Sequence, residues 1–131
     1  MHRTVMAGAI GGFLSVAMGA FAAHGLRHAL DAQALGWIET AVRYQFWHSV
    51  ALLALAALMA VRPARSLSIA AGAFVIGMVL FSGSLYAMAL SGRQGFAWIT
   101  PLGGACFLIG WVVVAVYAWG LRRGERPSSI S

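Results

Sequence analysis

Four apolar stretches, Val5 to Ala23, Tyr44 to Val61, Leu67 to Leu90 and Leu102 to Leu121, run without a charged residue and together occupy most of the chain. A helical crossing of the hydrocarbon core takes about 20 apolar residues, with a range of roughly 17 to 25. Each stretch fits that range, so the pattern predicts an integral membrane protein with four transmembrane helices. The polar segments supply the stops. Arg62-Pro63-Ala64-Arg65 reads as a short turn in which Pro63 ends the second helix, with Ser66 expected to cap the third. Ser91-Gly92-Arg93-Gln94-Gly95 reads as the next turn, and Thr100-Pro101 as an N-cap and first-turn pair that opens the fourth helix. Connections this short make neighbouring helices antiparallel. The expected fold is therefore all-α, an integral membrane antiparallel four-helix bundle formed by residues 1–126 as a single domain, followed by a disordered tail at 127–131.

The segment His24 to Arg43 mixes Leu26, Leu30, Leu35, Trp37 and Ile38 with Arg27, His28, Asp31, Gln33, Glu39 and Arg43. Such a mixture belongs at the membrane interface. Asp31 is placed to N-cap a helix that rises through Leu35, Ile38 and Val42 into the second span. Glu39 and Arg43 stand four apart with the acid first, the favourable order for a pair on one helix face. Aromatic residues, among them Tyr44, Trp47, Trp98 and Trp119, fall mostly near span ends, where they are expected to form an interfacial belt; Trp111 is deep enough to pack instead.

Composition agrees with the pattern. With 61% hydrophobic and 9% charged residues, a soluble domain would have too little polar surface to face water. The net charge of +6 comes from arginine alone, against Asp31, Glu39 and Glu125. These arginines flank the spans and form no basic stripe, which argues for anchoring and against nucleic acid as a partner. With a cytoplasmic N-terminus, Arg3, Arg62, Arg65, Arg122, Arg123 and Arg126 lie inside and Arg27, Arg43 and Arg93 outside, six against three. The positive-inside rule therefore places both termini in the cytoplasm.

The first span carries Ala7, Gly11, Ser15, Gly19 and Ala23 at intervals of four, with Gly8 and Gly12 beside them. Small residues in register let two backbones approach closely, in the same chain or in another copy. The run is also too long for the apolar region of a secretory signal, so it is expected to be retained although Ala20-Phe21-Ala22 resembles a cleavage site. Ser82, Gly83 and Ser84 form a second small-residue contact in the third span. The single Cys106 rules out an intramolecular disulfide.

Gly19-Ala20-Phe21-Ala22-Ala23-His24-Gly25-Leu26, the run from Glu39 to Leu53 containing Tyr44-Gln45-Phe46-Trp47-His48-Ser49, Phe81-Ser82-Gly83-Ser84-Leu85-Tyr86 and Ile99-Thr100-Pro101-Leu102-Gly103-Gly104 occur in that order. Together they resemble the domain of unknown function 423 family, small bacterial inner-membrane proteins similar to the eukaryotic transmembrane protein 256. The resemblance covers nearly the whole chain. It implies a small multi-span membrane protein and brings no activity, substrate or catalytic residue with it.

Ionisable and polar groups in or beside a span are functional candidates by default. His24, Glu39, Tyr44, Gln45 and His48 form the candidate polar site, at the outer ends of the first two spans. Tyr44, Gln45 and His48 share one side of the second helix, while Glu39 lies nearly opposite His48. His24 and His28 at i and i+4 would suit a shared metal, but no strong ligand cluster accompanies them, so no metal is expected. No CxxCH is present, which excludes covalently attached heme, and no other cofactor is expected. Catalysis lacks a serine, histidine and acid set or paired carboxylates at suggestive spacing, which weighs against an enzyme. The expected role is a non-enzymatic component embedded in the lipid bilayer, assembling with itself or with a larger membrane complex through Gly8, Gly11, Gly12, Ser15, Gly19, Ser82, Gly83 and Ser84. The alternative is a small-molecule, lipid or ion-binding or transport protein built on the polar site.

Overall fold

Helical geometry extends past each apolar stretch until a turn residue or a capping side chain interrupts it. A computed structural model describes residues 1–124; the tail expected at 127–131 lies outside the described residues. Helix α1 covers His2–Phe21 and continues through a π-helical turn, Ala22–Leu26. Helix α2, Ala32–Val61, takes in most of the interfacial segment as well as the second apolar stretch. Asp31 starts it as expected, its carboxylate accepting a hydrogen bond from the Ala34 N–H at 2.8 Å. The third span is α3, Arg65–Gly77, a π-helical turn Met78–Ser82, and α4, Gly83–Ser91. Gly92 closes α4 with φ 67°, a left-handed conformation that glycine adopts without a Cβ penalty. A 3₁₀ turn, Gln94–Phe96, then leads to α5, Ile99–Gly124.

Two caps differ from expectation. Helical geometry resumes at Arg65 directly after the extended Ala64, so Ser66 lies within α3 and the helix has no side-chain cap. Likewise α5 opens at Ile99, which puts Thr100 inside its first turn. Its hydroxyl meets the Ser84 hydroxyl at 2.6 Å instead of capping. Pro101 costs the first turn little, because its missing N–H would have no partner inside the helix.

The described residues are thus all-α, with four helical spans of 25, 30, 27 and 30 residues, each long and apolar enough to cross a bilayer. The small-residue stripe of α1 finds its partner within the chain, on α2. Gly8, Gly11 and Ser15 are buried there. A Cβ on Gly8 would come 3.0 Å from the Ser49 carbonyl oxygen, and one on Gly19 would meet Val42 at 3.5 Å. The third span packs on α2 along one side and on α5 along the other. Only 22% and 17% of the most apolar windows of the first and fourth spans are buried, against 39% and 44% for the second and third, so α1 and α5 present most of their surface outward.

Aliphatic and aromatic residues fill three zones of the core. One gathers Leu52, Leu55, Leu67, Phe74 and Phe107, a second Ala22, Ala34, Ile38 and Ala89, and a third Ala41, Leu85 and Met88. The side chains of Gln45, His48, Ser49 and Ser82 are also buried, the first three falling between Ala41 and Leu52 along α2.

Candidate functional site

Helix α2 brings three polar side chains to the middle of the structure, because Gln45, His48 and Ser49 lie halfway along its 30 residues and all are buried. Gln45 donates from Nε2 to the Gly11 carbonyl of α1 at 3.0 Å and accepts at Oε1 from the Tyr86 hydroxyl of α4 at 2.8 Å. One amide therefore ties three spans together. The approach to Gly11 requires the missing side chain there, since a Cβ at that position would strike the Ser49 hydroxyl. That hydroxyl bonds to the Gln45 carbonyl at 2.7 Å and lies 3.6 Å from the Met78 sulfur. One turn away Ser82, in the π-helical turn of the third span, donates to the Ala41 carbonyl of α2 at 2.8 Å.

His48 faces the other way, toward α5. Its ring stacks on Phe107 with centroids 3.6 Å apart and planes 10° from parallel. Nδ1 lies 2.7 Å from the Tyr44 carbonyl, and Nε2 lies 3.2 Å from the Trp111 indole nitrogen. An indole N–H only donates, so Nε2 accepts and the proton sits on Nδ1. Both ring nitrogens are then occupied, and the imidazole acts as a bridge from α2 to α5.

The candidate residues fall in two places. Gln45 and His48 belong to this mid-helix layer, but their side chains diverge, toward α1 and α4 and toward α5 respectively. Tyr44 is exposed, its ring 4.6 Å from that of Phe81 on the third span and 6.1 Å from that of Phe107 on α5. Glu39 lies nine residues before His48, about 13 Å along the helix axis. It lines an open groove of about 590 Å³ between the ends of α1 and α2, together with Arg27 and Arg43. His24 is exposed and bonds within its own helix, to the Ala20 carbonyl at 3.0 Å. Among the described residues no three His, Cys, Asp or Glu side chains come together.

Of the second small-residue set, Ser82 bonds across to α2, and Ser84 bridges Thr100 to the Phe81 carbonyl at 2.9 Å. Gly83 is exposed with no atom within 4 Å of where its Cβ would stand. The interface of the third span with α5 rests instead on residues that small-residue spacing alone did not single out. A Cβ on Gly77 would meet Phe107 Cε1 at 2.6 Å, one on Gly110 would meet Phe74 Cδ1 at 2.6 Å, and one on Gly103 would lie 2.7 Å from the Phe81 Cα. The signal was present in the order Phe74, Gly77, Phe81 on one helix against Gly110, Phe107, Gly103 on the other. Each phenylalanine falls opposite a glycine when the two are read in opposite directions.

Fold and polar layer together define a small multi-pass membrane protein whose spans are cross-tied by buried side-chain hydrogen bonds. The chain belongs to the family described as "Protein of unknown function (DUF423)", which matches residues 18–104. It is 50% identical over 107 residues to a UPF0382 membrane protein of Haemophilus influenzae, covering 82% of this chain and 86% of that one. It is 44% identical over 115 residues to the UPF0382 inner membrane protein YgdD of Escherichia coli K12, covering 88% of each. A UPF0382 membrane protein of Staphylococcus saprophyticus is 35% identical over 116 residues, 88% of this chain and 96% of the relative. No solved structure matches the chain. It is a multi-pass protein of the bacterial inner membrane.

Proposed function

We propose that this protein is a non-enzymatic structural or accessory component of the inner membrane, an antiparallel four-helix bundle with both termini in the cytoplasm. The pairing of the polar groups in its mid-helix layer carries this reading, although among the described residues the buried Tyr117 hydroxyl nearer the end of α5 has no partner. Gln45 uses its amide at both ends and His48 uses both nitrogens, so these two side chains hold helices together and neither is left as a free base. Contacts between spans support the antiparallel order. Gly8 stands beside Leu53 and Gly19 beside Val42, while Gly110 stands beside Phe74 and Gly103 beside Phe81. Among the described residues, five arginines (Arg3, Arg62, Arg65, Arg122 and Arg123) flank the spans on one side against three (Arg27, Arg43 and Arg93) on the other, which supports the orientation.

Assembly with a second copy or a larger membrane complex would use faces that the fold leaves outward. Gly8, Gly11 and Ser15 are spent against α2, but Gly72 and Gly83 on the third span have open space where a neighbouring helix would approach. Native mass spectrometry of the tagged protein, extracted gently from its own membrane, is the test. A stoichiometric protein partner or a homo-oligomer is expected. A bare monomer under conditions that preserve known membrane complexes would count against the accessory role.

A further inference from the structure

The groove between the ends of α1 and α2 is apolar on its floor and charged on its rim. Ala22 and Ile38 are buried beneath it and Val42 is half-buried, while Arg27, Glu39 and Arg43 are exposed around it. Among the described residues none of these three charges is held in an ion pair. Arg27 follows the first span and Arg43 directly precedes the uncharged part of α2, the positions at which headgroups would meet the chain in a bilayer. An apolar floor continuous with the bilayer suits an acyl chain, and the rim suits what that chain carries.

We infer that this groove binds a phospholipid with a phosphoethanolamine headgroup, its phosphate held by Arg27 and Arg43 and its ammonium by Glu39. Two guanidinium groups recognise a phosphate by charge-assisted hydrogen bonds. A purely anionic headgroup would bring only negative charge to Glu39, and a choline headgroup has no N–H to donate to that carboxylate. Glu39 and Arg43 stand one turn apart on α2, about 6 Å along the axis, which matches a phosphate and an ammonium separated by a two-carbon linker. The lipid then covers the exposed rim and closes the gap between the first two spans.

The test is lipid competition by native mass spectrometry, with the full-length protein offered equal amounts of dioleoyl phosphatidylethanolamine, phosphatidylcholine and phosphatidylglycerol. Retention of the ethanolamine lipid about fivefold above the other two is expected, the scale of one interfacial ion pair. Glu39→Gln should erase that preference while phosphate-bearing lipids are still retained, and Arg27→Gln with Arg43→Gln should weaken retention of all three. Equal retention of the three lipids by the unaltered protein, or retention led by phosphatidylglycerol, would overturn the inference. So would an ethanolamine preference unchanged by Glu39→Gln. If a variant does not fold, the ranking by the unaltered protein alone decides.

Discussion

Gln45 shows how much one side chain contributes when no water is available to replace its partners. Its amide satisfies the second lone pair of a helical carbonyl on α1 and takes the only proton of Tyr86 on α4. Tyr86→Phe leaves Oε1 without that donor, and the expected cost is about 1 kcal/mol, the scale of interhelical hydrogen bonds in bilayers. Tyr86→Phe combined with Gln45→Leu removes donor and acceptor together. The double variant should therefore lose less stability than the two single variants summed, as measured by reversible unfolding in mixed micelles. Gln45 and His48 were legible as candidates because polar groups inside an apolar stretch stand out. Their partners were not, since Gly11, Tyr86 and Trp111 lie 34, 41 and 63 residues away along the chain.

Helix by helix, close packing depends on where side chains are missing. The α1 stripe could be read directly, because five small residues recur every four positions along one helix. The α3 to α5 interface was harder to read, because there glycine alternates with phenylalanine and neither helix alone looks like a small-residue face. Two substitutions separate close packing from mere glycine content. Gly103→Ala places a Cβ 2.7 Å from the Phe81 Cα, where backbone must move, and should destabilise by about 1–3 kcal/mol. Gly83→Ala, in open space on a helix, should be neutral or stabilise by up to about 1 kcal/mol. Thermal unfolding of both variants in the same detergent checks the contrast. The π-helical turn at Met78–Ser82 was invisible in the residue pattern, because its stretch is as apolar and helix-forming as its neighbours. It carries Ser82, whose hydroxyl reaches the Ala41 carbonyl of α2.

At the scale of the whole molecule, arginine placement carries the proposed orientation and packing decides shape. In a Cys106→Ala background, Gln33→Cys and Gln94→Cys should react with a membrane-impermeant maleimide added to intact spheroplasts, whereas Pro63→Cys should react only after lysis. The reverse pattern would invert the proposed topology. The sequence by itself determined the four spans, the Asp31 cap, the turn at Gly92 and the class of protein. Those features follow from local rules, the length of an apolar run against bilayer thickness and the reach of one side chain to a nearby backbone group. Tertiary structure alone decided that the α1 stripe is used inside the chain, that Gln45 and His48 turn to different helices, and that Glu39 joins Arg27 and Arg43 around a groove. Each of these depends on the rotation of one helix about its axis relative to another. That rotation is set by the combined packing of glycines, phenylalanines and buried hydrogen bonds on facing helices, and no single stretch of sequence contains both sides of such a contact.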